Sequence, residues 1–241
     1  MSKDEIYRSA DAGPGSFEFG ESVAAVFPDM LRRSIPGYDA TIGAIGSLAG
    51  RYVTAGTRCY DLGCSLGAAT LAMRRHVRAP GCEILAFDRA PAMIRRCREI
   101  VAADESRTPV RVEEADIRGV TIDNASMVVL NYTLQFLPRN DRAGLIRRIF
   151  AGMVDGGVFV LSEKVADEDP VVDALLVELH HAFKRANAYS DLEIARKRTA
   201  LENVLVPESV TAHLERLRTA GFRHSGVWLR HYNFVSIVAI R

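Results

Sequence analysis

A mostly parallel α/β sheet covered by helices on both faces is the fold class this sequence predicts, and three observations predict it. Strand-like and helix-like segments alternate from about residue 57 to residue 164, the βαβ rhythm that lays strands side by side in one direction. The runs "MVVL" and "VFVL" are apolar on both sides, as strands buried on both faces must be. The chain has 241 residues, 48% of them hydrophobic, enough for one sizeable core. A single domain over 1–241 is the expectation.

The elements follow in order. The first 20 or so residues are polar, contain Gly13-Pro14-Gly15, and read as a flexible arm over 1–20. From Glu21 the spacing of Val23, Val26, Phe27 and Met30 predicts a short helix interrupted near Pro28. A second helix over 39–52 puts Ile42, Ile45, Leu48 and Ala49 on one face. "TRCYDLG" is a short strand ending in an acid and a glycine, "AATLAMRRHV" is helical, and "EILAFD" is a strand. "PAMIRRCREIVAAD" is a helix opened by Pro91, a residue suited to the first helical position. Then come "VRVEEADI", "ASMVVLNYTLQF", a helix over about 140–153, the glycine turn "DGG" and the strand "VFVLSEK".

After Lys164 the rhythm changes. Residues 165–220 hold no convincing strand and predict helices over about 170–186, 190–204 and 208–220, far more chain than a βα connection needs. This helical insertion either covers the pocket as a lid or pairs subunits as a dimer surface. Ser190 followed by Glu193 is a capping-box pattern, which starts the middle helix and makes Arg198 a helix-borne side chain. "HSGVWL" and "NFVSIVAI", separated by "RHY", form a terminal hairpin whose last strand runs against its neighbour.

Composition excludes several classes. Lys plus Arg total 31 against 30 Asp plus Glu, a net charge of +1, so no overall positive field draws the protein onto nucleic acid or an anionic membrane. Cys59, Cys64, Cys82 and Cys97 are scattered without a C-x-x-C pair or clustered histidines, which argues against a metal site and a disulfide framework. No secretory leader and no run of 18 uncharged apolar residues is present, so a cytoplasmic location is expected.

The chemistry lies in an ordered set of acids and glycines. Asp61, Gly63 and Gly67 follow the first strand, Asp88 ends the second, and Asp116 follows the third. The glycines let backbone N–H groups approach a ligand, the second carboxylate takes ribose hydroxyls, and the third reads an adenine amino group. An adenosine is common to all three. NAD would need its pyrophosphate over the helix N-terminus, where acidic Asp61 repels it. The same carboxylate attracts the sulfonium and ammonium groups of S-adenosylmethionine. With the terminal antiparallel hairpin, this favours a Rossmann-like class I methyltransferase fold: a mostly parallel seven-stranded sheet, an antiparallel last strand, and the insertion before the hairpin.

Other positions carry two readings. Ser65, between the glycines, either offers a hydroxyl to the amino-acid end of the ligand or only tolerates the turn. Ile117 packs on the adenine face, and Asn131, at the exit of "MVVLN", points into the crevice at the carboxyl ends of the strands. His180 and His181 are adjacent in a helix and face apart, so they are no metal-ligand pair. Arg196, Lys197 and Arg198 are either a wet helix face or the source of a guanidinium clamp for a carboxylate.

The segments "VFPDMLRRSIPGY", "YDLGCSLGAAT", "SMVVLNYTLQFL", "LSEK", "HHAFKRANAYSDLEI" and "KRTALENV" together resemble the carboxy-S-adenosyl-L-methionine synthases, formerly described as tRNA uridine-5-oxyacetate methyltransferases. The resemblance runs from about residue 17 to 240. It implies that S-adenosylmethionine and prephenate become carboxy-S-adenosylmethionine and phenylpyruvate. The product then serves a tRNA carboxymethyltransferase that modifies 5-hydroxyuridine at the wobble position. It also implies a homodimer. The family's ligand contacts, carried onto this sequence, fall on Tyr38, Gly63, Cys64, Ser65, Asp88, Arg89, Asp116, Ile117, Asn131 and Arg198. Arg89 departs from the pattern, in which a small polar residue follows the ribose acid.

Under that resemblance Arg198 and Tyr38 are the expected catalytic residues, Arg198 facing the carboxylate on the transferred carbon. Prephenate loses carbon dioxide and hydroxide, and the deprotonated sulfonium methyl captures the carbon dioxide. An enclosed site keeps water from both species. Two readings compete: a methyltransferase acting on a small molecule or tRNA, and a catalytically silent S-adenosylmethionine-binding protein paired with a tRNA-modifying enzyme.

Overall fold

Seven strands form one sheet in the order β3-β2-β1-β4-β5-β7-β6. A computed structural model describes residues 3–8, 18–201 and 204–241. The strands are β1 (Arg58–Leu62), β2 (Glu83–Asp88), β3 (Val110–Glu114), β4 (Ala125–Asn131), β5 (Met153–Lys164), β6 (His224–His231) and β7 (Phe234–Ile240). The first five run parallel, and β7 is antiparallel to both β5 and β6. The α/β methyltransferase-type sheet and its reversed last strand are thus as expected.

Residues along β1 alternate between the two faces. Cys59 packs with Ile45 and Ala49 of α2 (Tyr38–Tyr52) and Met73 of α3 (Ala68–His76), while Tyr60 and Leu62 pack with Leu145, Ile146 and Ile149 of α5 (Arg139–Gly152). The first face also carries α4 (Pro91–Ala103), through Ile94, Cys97 and Val101. Among the described residues no helix is long and apolar enough to cross a membrane.

Four expectations change. The helix predicted to break near Pro28 is continuous as α1 (Glu21–Ser34). Proline forfeits only its own backbone donor and crowds the turn before it, and the buried face of Val23, Val26, Phe27 and Met30 holds the helix on both sides of it. The "DGG" turn lies inside β5, where the pairing with β4 shifts register between Ala125 and Met127, and Gly156 takes a φ of 77°. A bulge accommodates the extra residues without ending the strand.

The insertion also divides. It contains α6 (Pro170–Ala186), α7 (Asp191–Leu201) and α8 (Val210–Ala220), and residues 202–203 of the predicted middle helix lie outside the described residues. Leu217 of α8 is fully buried against the sheet in the same cluster as Phe159 and Phe222, so α8 is cover for the sheet. Among the described residues of the insertion, α6, α7 and Leu205 reach the pocket. The capping box forms: Ser190 N donates to Glu193 Oε2 at 2.8 Å, and Glu193 N donates to Ser190 Oγ at 3.3 Å.

Of the segment expected as a flexible arm, residues 1–2 and 9–17 lie outside the described residues, and residues 3–8 are packed. Asp4 is 1% exposed, and its carboxylate accepts from the Tyr189 hydroxyl and lies 3.6 Å from Lys197 Nζ. Its backbone N–H donates to Asp29 at 2.7 Å. A buried lysine needs a counter-charge, and this segment brings one.

Candidate active site

Strand order reverses direction at β1, which pairs on one side with β2 and on the other with β4. Ligands of open α/β sheets settle in the crevice that opens there, outside the carboxyl ends of the strands. A pocket of about 430 Å³ lies at this point. Tyr38, Gly63, Cys64, Ser65, Asp88, Arg89, Asp116, Ile117 and Asn131 all line it, so nine of the ten expected contacts share one cavity.

The turn after β1 shows why its residues are what they are. Gly63 (φ 86°), Ser65 (φ 48°) and Gly67 (φ 83°) alternate in the left-handed region. A Cβ on Gly63 would come within 2.4 Å of the Thr133 side chain, so only glycine lets the chain pass. Ser65 tolerates the same region less easily. Its backbone N–H donates to Asp88 Oδ2 at 2.9 Å, and Ala90 N donates to Asp88 Oδ1 at 2.9 Å. These two bonds aim the carboxylate into the pocket while each oxygen keeps lone-pair capacity for another donor. Burial raises the Asp88 pKa above the usual carboxylate range, and the two N–H donors oppose the shift.

At the other acids the forces differ. Asp61 is 1% exposed and accepts from Thr70 Oγ1 at 2.5 Å. Burial pushes its pKa up to about 6 against that hydrogen bond, with Asp88 adding repulsion. Asp116 is gripped by Arg118, whose Nε lies 3.0 Å from both oxygens and whose terminal nitrogen lies 2.6 Å from Oδ2. That grip holds Asp116 at about 2. Ile117 is buried beside it, and Leu137 continues the apolar wall, a slot suited to a flat base.

Asn131 gives the clearest sign of a ligand. Its Oδ1 is buried and accepts no hydrogen bond, and a buried acceptor left alone costs about 1–3 kcal/mol. A ligand donor at the end of β4 would relieve it. The alternating left-handed turn, the aimed Asp88 and the orphaned Asn131 together fit S-adenosylmethionine. Tyr38, at the start of α2, is 9% exposed, and burial raises its hydroxyl pKa. Cys64 is buried, and a hydrogen bond with Cys97 followed by burial raises its thiol.

Arg198 stands apart. Its side chain is exposed on α7 and is absent from the pocket lining, whereas Lys197 is 5% exposed and lines it. Neighbours on a helix point about 100° apart, and the inward direction belongs to Lys197, held by Ser34 Oγ at 3.0 Å and by Asp4. Burial lowers Lys164, and the charge of Arg198 lowers it further.

The sequence reading placed none of Lys164, His180, Lys184, Tyr132 and Phe234 at the site, having weighed His180 only as a metal ligand, and all of them line the pocket. His180 and Lys184 sit four apart on α6 and therefore share a face, the one signal that marked them. His180 is buried and donates through Nε2 to the Ser34 carbonyl at 2.8 Å, while His181 is half-exposed.

Comparison with known proteins bears on the family. Residues 60–157 match the family model described as "Methyltransferase domain". An O-methyltransferase family protein from Burkholderia thailandensis superposes with a TM-score of 0.68 at 16% identity, covering 98% of this chain and 66% of that one. Human N-acetylserotonin methyltransferase in complex with SAM gives 0.60 at 17%, covering 98% and 57%. These neighbours are longer chains and share the fold. The carboxy-S-adenosyl-L-methionine synthase of Photorhabdus laumondii is 53% identical over 239 residues, 99% of this chain and 95% of that one. That of Cronobacter sakazakii is 54% identical over 239 residues, 99% and 97%. With identity of this order over nearly the whole length of both chains, the chain belongs to the carboxy-S-adenosyl-L-methionine synthase family.

Proposed function

We propose that this protein converts S-adenosylmethionine and prephenate to carboxy-S-adenosylmethionine and phenylpyruvate. The product supplies the carboxymethyl group that a partner enzyme places on wobble uridine of tRNA. The observation that carries the reading is whole-length identity above 50% to synthases of that name. A pocket whose lining joins nine of the expected ligand contacts to Lys164, Lys184 and Lys197 supports it.

The reaction balances within that pocket. Prephenate gives up its ring carboxylate as carbon dioxide and its ring hydroxyl as hydroxide, becoming aromatic phenylpyruvate. Hydroxide takes a proton from the sulfonium methyl, forming water, and the methyl carbon bonds to carbon dioxide. S-Adenosylmethionine supplies the acidic methyl, and the chain's residues position and shield it. Asp61 and Asn131 face its cationic amino-acid end, Asp88 the ribose, and Asp116 with Ile117 the adenine. Tyr38 and the α6–α7 lid keep water from the carbon dioxide.

The carboxylate formed on the transferred carbon needs a cation. Arg198 serves it from a second copy of the chain, since its side chain is exposed on its own subunit. A homodimer formed through α6 and α7 is supported by an uncovered stripe: Val171 is 77%, Leu175 52% and Leu192 55% exposed, more than isolated surface apolars need explaining. Four unpaired, buried cysteines suit a reducing cytoplasm.

The test is incubation with both substrates and mass analysis of the adenosyl product. A species heavier than S-adenosylmethionine by one carboxyl group, together with phenylpyruvate, is expected. S-Adenosylhomocysteine alone would mean an ordinary methyltransferase, a coarser reading with which the domain match is also consistent.

A further inference from the structure

The pocket extends well beyond the adenosine half. Asn131 on β4 pairs with Ser162 on β5, so Lys164 stands two residues past that point on the next strand. Asp61 belongs to β1, two strands away from β5, and Gly63 follows it in the turn. At about 4.8 Å per strand the lateral offset is roughly 10 Å, and Lys164 also lies further along the strand direction, beyond the turn. Lys184 reaches the same end from α6. Between the two halves stands an aromatic wall. Tyr38 and Tyr132 have centroids 6.4 Å apart, Tyr132 and Phe234 meet edge to face at 6.0 Å, and Phe234 meets His180 at 4.8 Å.

Lys184 is 8% exposed and Lys164 half-buried; among the described residues no carboxylate lies within ion-pair distance of either, and Asp173 opposes the lowering of Lys164 only from further away. Lys197, the third lysine there, already has Asp4 and Ser34. Burial and then the charges of Lys197 and Lys164 drive Lys184 down to about 7. An unpaired buried ammonium is costly, and an anionic ligand removes the cost.

We propose that Lys164 and Lys184 bind the side-chain carboxylate that prephenate keeps on becoming phenylpyruvate, with the rings of Tyr38, Tyr132 and Phe234 against its six-membered ring. This rests on prephenate as substrate. The arrangement leaves the ring carboxylate, the one that departs, on the side of the sulfonium methyl. It also separates duties: the adenosine half reads the donor, and the lysine half reads the acid. Two carboxylates of one small molecule are thereby distinguished by what faces them. His180, kept neutral by burial and bonded to the Ser34 carbonyl, adds no charge to this end.

The test is calorimetric titration of S-adenosylmethionine, prephenate and phenylpyruvate into wild type, Lys184→Met, Lys164→Met and Lys184→Arg, with turnover measured alongside. Each methionine variant keeps the volume and apolar stem, so a folded protein is expected. Affinity for prephenate and phenylpyruvate should fall about tenfold or more, S-adenosylmethionine affinity should stay within about twofold of wild type, and Lys184→Arg should recover part of the loss. Unchanged prephenate and phenylpyruvate affinity would overturn the assignment, and so would an equal loss of S-adenosylmethionine affinity, which would put the lysines on its own carboxylate. A wild type that binds prephenate without turning it over would sink the proposed function while leaving the lysine subsite standing. Turnover by wild type with undiminished variants would do the reverse.

Discussion

At the scale of single residues, the pocket works because carboxylates of one type are placed in three environments. Asp116 is held ionised by Arg118, Asp88 is aimed by two backbone donors, and Asp61 is buried with one hydroxyl partner. Asp88→Ala should weaken every adenosine ligand by about 1–3 kcal/mol, because ribose hydroxyls lose a charged acceptor; calorimetry with S-adenosylmethionine and S-adenosylhomocysteine checks it, and no change would put the ribose elsewhere. Asp61 gives a pH dependence. Its pKa is raised to about 6, so acidification through that value removes its negative charge, which the proposed function sets against the ammonium and sulfonium groups. S-Adenosylmethionine affinity should therefore decline as pH falls below about 6, and Asp61→Asn should bind weakly with that decline abolished. The stability of the free protein responds to Asp61 with the opposite sign. A raised carboxylate pKa contributes stability that is full at acid pH and is lost as pH rises through about 6.

At the scale of elements, α6 and α7 carry the features that distinguish this chain from a bare methyltransferase-type sheet. Both are amphipathic in an unusual sense: one face presents Lys184 and Lys197 to the pocket, while Val171, Leu175 and Leu192 face outward. If a second copy covers that outward stripe, Leu175→Glu should convert a dimer to a monomer by light scattering, with adenosine binding preserved. An unchanged mass would remove α6 from the interface. The start of α7 depends on its capping box, so Ser190→Ala should cost about 1 kcal/mol in urea unfolding. The glycine turn, the capping box and the terminal hairpin were legible in sequence because each is a local pattern with a local cause. Pro28 and the "DGG" run misled because local rules were overruled. Buried apolar contacts carried α1 past its proline, and sheet pairing absorbed the glycines as a bulge.

Across the whole molecule, buried histidines couple folding to pH. His180 is lowered to about 3 and His213 to about 4, each chiefly by burial and then by neighbouring cations. Both are neutral when folded and take up protons when unfolded below about pH 6.5. A lowered histidine pKa means stability present above the unfolded value and lost as pH falls towards the folded one. Denaturation at pH 5 should therefore show each histidine contributing about 1–2 kcal/mol less than at pH 6.5. His180→Gln should flatten its share of the profile, and a profile unchanged by that substitution would mean His180 is accessible to protons in the fold. His180 joins α6 to the end of α1 through the Ser34 carbonyl, so acid should loosen α6 first.

The sequence by itself determined the sheet, its reversed last strand and nine of the residues that line the pocket. Those rest on periodicity and on short turns, whose physics is contained within a few consecutive residues. Tertiary structure decided the rest. It paired Asp4 with Lys197 across nearly the whole chain, brought Lys164 and Lys184 from a strand and a distant helix to one end of the cavity, and turned Arg198 outward while its neighbour turned in. Charge complementarity in a buried site depends on which side chains meet in space, and no spacing along the chain encodes that meeting.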